Sequence, residues 1–141
     1  MVALSSPMLV GIYEDDKLTS QIISEEKASE ELINILSDLN SKFDIKSITY
    51  ANGPGSFMGL KVSYAILKTF CIVKKCDFRA VSGFELNDFG AIRANKMLSF
   101  TYDNGNINLE KIEPKPFKLP IILSKLNKSC DTLPNYIIDA V

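Results

Sequence analysis

The residues best placed to do chemistry in this sequence are Asn52-Gly53-Pro54-Gly55-Ser56-Phe57-Met58-Gly59-Leu60-Lys61. They join a β-like run, Ile45 to Ala51, to an apolar helical run that extends to about Lys75. Glycine reaches positive φ or admits a second backbone, and Pro54 fixes φ between two permissive neighbours. A strand, a glycine turn and a helix in that order could bring backbone N–H groups to a phosphate. Two readings therefore stand, a phosphate cradle and a tight strand-to-helix turn without a ligand. Against the cradle, the third glycine of a dinucleotide fingerprint comes one position late, at Gly59. The acidic residue expected about twenty positions on could only be Asp77, ahead of its strand instead of at the strand's end. A Walker A loop is excluded because no Gly-Lys-Ser/Thr follows.

Other chemistry-bearing residues are few. The chain has no histidine, which removes the commonest general base and the Ser-His and Cys-His nucleophile pairs. Cys71, Cys76 and Cys130 are an odd number without a disulfide framework, and a zinc set has little support without histidine. Neutral or buried thiols are expected. Ser5 and Ser6 could hydrogen-bond a phosphate, but the first acidic residue is Glu14, so no carboxylate stands there to hold Mg²⁺. Turn serines are the alternative. No catalytic, cofactor-binding or metal-ligating residue is assigned.

The elements that must position these residues follow from periodicity. Met1 to Leu4 and Met8 to Tyr13 read as strands, and Leu18 to Ser24 closes a hairpin across the acidic turn Glu14-Asp15-Asp16-Lys17. A helix is expected from about Glu26 to Asn40, with Ala28, Leu32, Ile35, Leu36 and Leu39 on one face. The helix after the glycine turn is apolar on more than one side, with Lys61, Lys68 and Lys75 forming a narrow basic ridge. That pattern implies burial on more than one side, either by the chain's own second domain or by a partner protein. A strand over Phe78 to Val81, a helical turn near Phe84 to Phe89 and an Asn104-Gly105 hairpin follow. Pro114, Pro116 and Pro120 suggest a stiff linker, and Leu119 to Leu126 an apolar run in the tail.

With 141 residues, the chain is one domain or one lobe with an appendage. Hydrophobic content of 46% and charge of 23% fit a globular protein with a real core. A net charge of −1 gives no electrostatic footprint for tight direct binding of tRNA or other nucleic acid. No apolar run approaches the ~20 residues of a membrane span, and the amino terminus lacks a signal-peptide pattern. A cytoplasmic protein is expected.

The glycine turn closely resembles the Gly-Pro-Gly-Ser-Phe-Thr-Gly-Leu-Arg signature of the bacterial TsaB (YeaZ) family, with Met58 for threonine and Lys61 for arginine. Leu9 to Tyr13 with Asp15-Asp16 resembles the family's second strand and acidic turn. Ala80-Val81-Ser82-Gly83-Phe84-Glu85-Leu86 is similar to its Val-Ser-x-Leu-Glu segment, and Leu133 to Ile137 to its Pro-x-Tyr-Leu motif. Ile92-Arg93-Ala94-Asn95-Lys96 is a weaker echo of a further segment. The resemblance implies an α/β actin-like, ribonuclease-H-like (ASKHA) lobe of order β-β-β-α-β-α-β over residues 1–90. Residues 91–141 would be a reduced second lobe. The chain departs from the family at Ala3-Leu4-Ser5-Ser6-Pro7, where members carry Ile-Asp-Thr-Ser.

The resemblance further implies a non-catalytic partner of the TsaD-type subunit in threonylcarbamoyladenosine (t6A) modification of tRNA, with a TsaE-type ATPase joining the complex. It implies no cofactor. Signature residues are Gly53, Pro54, Gly55, Ser56, Phe57 and Gly59, and the expected partner face is Ile33, Ser37, Met58, Lys61, Val62, Ala65, Lys68 and Thr69. Ser63 and Ala65 are expected to let partner helices approach closely. A homodimer that has lost the pathway and a small nucleotide-binding protein are the alternatives. A peptidase reading lacks a base.

Overall fold

The computed structural model describes residues 1–136, so Ile137 of the terminal motif lies outside the described residues. The fold is mixed α/β. Strands β1 (Met8–Glu14) and β2 (Lys17–Ser24) form an antiparallel hairpin, and α1 (Ala28–Lys42) follows. Then come β3 (Ser47–Ala51), α2 (Phe57–Lys74) and β4 (Asp77–Val81), with β3 and β4 paired in parallel. A 3-10 turn (Gly83–Leu86) leads to a small antiparallel sheet, β5 (Ile92–Arg93), β6 (Ser99–Asp103) and β7 (Asn106–Glu110).

Local chemistry accounts for the turns. Asp15 and Asp16 both hold positive φ, as do Asn104 and Gly105. Two left-handed residues in a row match the right-handed twist of the flanking strands, and short polar side chains tolerate them. The Asn-Gly hairpin is where the sequence places it. Ser56 caps α2, its Oγ accepting from Gly59 N at 3.1 Å, and Lys75 closes the helix in left-handed conformation at φ 58°. The helix α1 starts two residues later than its acidic start suggested, and Glu30 and Glu31 occupy its first turn.

Two apolar layers sandwich the strands. Met8, Val10, Ala28, Leu32, Leu36, Tyr50, Leu67 and Ala80 form one core, which the helices cover. On the other side Val2, Leu4, Leu9, Leu60, Val81, Leu86 and Leu119 form a second. Phe84, Ile92 and Phe100 make a third, under the small sheet.

The structure departs from the sequence reading at three points. Residues 1–4 form no strand of their own: Val2 bridges to Leu9 and Met1 bonds to Thr49 O and Ala51 N, and the chain then bends at Ser5 and Ser6. Second, β5 has no counterpart in the periodicity, since two residues are too few to show alternation. Third, the proline segment is not a linker but a strap across the strands. Lys115 N bonds to Ala91 O at 2.9 Å, Lys118 N to Leu86 O at 2.7 Å, and Tyr13 Oη donates to Pro120 O at 2.6 Å. Prolines forbid a continuous ladder, yet the residues between them supply these amides and bury Leu119. Farther on, Ser129 and Ala80 exchange hydrogen bonds beside β4, and the Tyr50 hydroxyl donates to Thr132 O.

Candidate functional site

The signature turn closes onto residues 3 and 4. Gly53 sits at φ +120°, with its carbonyl accepting from Gly83 N at 2.9 Å. Asn52 N bonds to Val81 O at 3.0 Å and Asn52 O accepts from Asn135 N at 2.7 Å. Pro54 is fully buried. A Cβ on Gly55 would lie 2.9 Å from Leu4 O, and one on Gly59 only 2.0 Å from Ala3 O. Ser56 N donates to Leu4 O at 2.8 Å, and Leu60 N to Ser56 O at 2.9 Å. The inner side of the turn, where a phosphate would have to lie, is therefore filled by this chain's own backbone. Phe57 packs outward against Tyr136, with ring centroids 4.8 Å apart.

Gly83 belongs to the same constellation although the signature does not contain it. A Cβ there would be 2.3 Å from Leu4 Cδ1. A glycine directly after a strand and a serine was the available signal. Asp77 opens β4 instead of preceding it, and its carboxylate pairs with Arg79 at 2.8 Å. Ser6 Oγ donates to Glu25 at 3.1 Å. Burial pushes the Cys71 thiol up to about 12 and raises Cys76, whose Sγ faces Ile45 O at 3.1 Å. Such thiols are poor nucleophiles and poor ligands. Cys130 departs from the expected burial and lies exposed against Arg79. Among the described residues no group of three or more His, Cys, Asp or Glu is placed to hold a metal, and no helix is long and apolar enough to cross a membrane.

The outer face of α2 is the second feature. Leu60, Ser63, Leu67 and Cys71 point inward. Met58, Lys61, Ala65 and Thr69 lie on the exposed side, and Ile33 and Ser37 share an exposed face of α1. Two expected interface residues fall on the flanks. Val62 is partly buried against the helical core, and Lys68 lies over the Phe78 ring at 6.0 Å. The lysine ridge is broken, because Lys68 is folded onto that ring and Lys75 lies beyond the last helical turn. Ser63 is wholly inward, donating to Gly59 O at 2.6 Å, so it cannot ease the approach of a partner helix. Sequence reasoning omitted Ile72 and Val73, which are 67% and 71% exposed. Their spacing from Ala65 and Thr69, seven and four residues, carried the signal. With Met58 at 59% exposed, they make an apolar stripe whose charge is confined to Lys61.

No family model matches the chain, and no curated protein matches it. Solved structures do. YeaZ from Pseudomonas aeruginosa superposes with a TM-score of 0.60 at 14% identity, over 77% of this chain and 61% of that one. A second structure, an uncharacterized protein with similarity to peptidase YEAZ from Pseudomonas aeruginosa, gives 0.54 at 14% identity over the same shares. This chain thus spans about three-fifths of the length of the structures it matches. The fold is YeaZ-like.

Proposed function

We propose that this protein is a non-catalytic pairing subunit of the TsaB type, which binds a TsaD-type threonylcarbamoyltransferase in t6A modification of tRNA. Residues 1–90 would form the ASKHA-type lobe, and residues 91–141 would belong to a second lobe. The TsaE-type ATPase would join through the complex, and the cytoplasm is the proposed location. The observation that carries the reading is the contrast between the two sides of the signature. Its inner side is packed against Ala3 and Leu4, while the helix it launches exposes Met58, Ala65, Thr69, Ile72 and Val73 outward. A glycine turn used for nucleotide would need the opposite arrangement, with open amides and a covered helix. Exposed apolar side chains at helical spacing suit packing against a helix of another protein.

The word peptidase in one neighbour's description does not carry over, since this chain has no histidine and its buried thiol is held protonated. The reading is tested by isolating the tagged chain from its native cells and identifying what co-purifies. Recovery of a TsaD-type protein in stoichiometric amount supports it. Recovery of the chain alone, or only as a dimer of itself, refutes the TsaD pairing.

A further inference from the structure

The carboxyl end of α2 is built around two cysteines. Lys75, in left-handed conformation at φ 58°, and Cys76 both donate their amides to Cys71 O, the second at 3.0 Å. This closure is a Schellman motif, which brings the side chains of its first and last residues together. An apolar pair often fills those two places, and here both are thiols. Burial raises both above the ordinary thiol range, and their mutual contact adds to the shift of Cys71 and opposes that of Cys76. Cys71 is buried, Cys76 is partly exposed, and the Cys76 thiol donates to Ile45 O at 3.1 Å.

Contact alone does not make a disulfide, so reach decides. The bond needs Cα atoms within about 7 Å of each other and Cβ atoms that face. The Cys76 amide nitrogen lies 3.0 Å from the Cys71 carbonyl oxygen. With standard backbone lengths, that bond limits the Cα separation to at most about 7 Å. The side-chain contact of the motif supplies the facing. The loop between the sulfurs would hold only Ile72, Val73, Lys74 and Lys75. Ile72 and Val73 are the most exposed apolar side chains of the α2 stripe.

We propose that Cys71 and Cys76 are a thiol–disulfide pair, which closes under a disulfide-type oxidant and locks the end of α2. Cys76, the accessible thiol, attacks one sulfur of glutathione disulfide as the thiolate and releases one glutathione. Cys71 then attacks the Cys76 sulfur of the mixed disulfide and releases the second. One S–S bond forms and one breaks, and the two protein thiol protons pass to the two glutathione thiolates. The Ile45 carbonyl loses its sulfur donor, while Cys71 O keeps both amides. Because burial holds the thiols protonated, closure is slow, and its extent at equilibrium carries the information. The inference rests on the helix end and holds whether or not the chain pairs with a TsaD-type subunit.

The probe is a series of glutathione and glutathione disulfide mixtures, brought to equilibrium with the full chain carrying Cys130→Ser. Acid quenching, alkylation and tryptic digestion follow. Trypsin cuts after Lys68, Lys74, Lys75 and Arg79, so a closed pair joins residues 69–74 to residues 76–79 in one fragment. At one glutathione ratio, the closed-to-open ratio should be at least about tenfold higher in the native chain than in urea. Exchange of the Lys75 and Cys76 amides should slow by at least about tenfold on closure. With Cys71→Ser added, one glutathione should remain on Cys76 instead. An equal or lower closed fraction in the native chain, or glutathione held on Cys76 with Cys71 present, would overturn the proposal. So would a closed pair whose amides exchange as fast as in the reduced chain, which would show a bond without a lock.

Discussion

Gly59→Ala separates the two readings of the signature by the sign of its effect. Gly59 is the third residue of α2, and on helix propensity alone alanine would stabilise it by about 1 kcal/mol. Its Cβ, however, would lie 2.0 Å from Ala3 O, against an ordinary carbon–oxygen contact of about 3.3 Å or more. Either the helix start or residue 3 must therefore move by about 1 Å. Residue 3 is held from both sides, by the Val2–Leu9 pair at 2.8 and 3.0 Å and by Ser56 N on Leu4 O at 2.8 Å. Overpacking of this kind costs about 1–3 kcal/mol, and one weakened backbone bond adds about 1 kcal/mol. After subtracting the propensity gain, the net expectation is a loss of about 2 kcal/mol. Urea unfolding followed by circular dichroism should show the midpoint falling by about 1 M at unchanged slope. A midpoint equal to or above that of the wild type would mean that α2 is not seated on Ala3, and the packing account of the signature would be wrong.

Two further outcomes follow from the same geometry. Tyr50→Phe removes the donor to buried Thr132 O, so it should cost about 1–3 kcal/mol and speed tryptic cleavage after Lys128, both read by unfolding and limited proteolysis. Because the turn is filled and residues 3–7 carry no carboxylate, calorimetry should find no binding of ATP with Mg²⁺, and a micromolar, Mg²⁺-dependent affinity would sink the reading.

What was legible in the sequence is what local chemistry decides. The two hairpins, both helices and the strands around the signature follow from turn residues and periodicity. The glycine turn was visible as a constrained strand-to-helix junction, but which of its two readings held depended on where Ala3 and Leu4 run, a non-local fact. The strap was misread for a similar reason. Three prolines look like a linker until the burial of Leu119 is seen, and burial depends on what lies beneath. On α2, composition alone could not say which side faced outward. The apolar residues surround the helix, and only contact with the sheet turns Ser63 inward and leaves Ile72 and Val73 outside. Val62→Glu, a natural interface variant from sequence, is confounded by the partial burial of Val62.

Ala65→Arg tests the central claim most directly. Ala65 lies mid-stripe and exposed, so arginine is accommodated in the free chain but intrudes on a close helix contact. A stable pair should bury at least about 1,200 Å² in total. The measurement is size-exclusion mass of the chain mixed with its native TsaD-type subunit, with circular dichroism of each variant. The account predicts a stoichiometric complex for the wild type and separate elution for Ala65→Arg with its helical signal intact. A folded Ala65→Arg chain that still pairs, or a wild-type chain that never does, would contradict it.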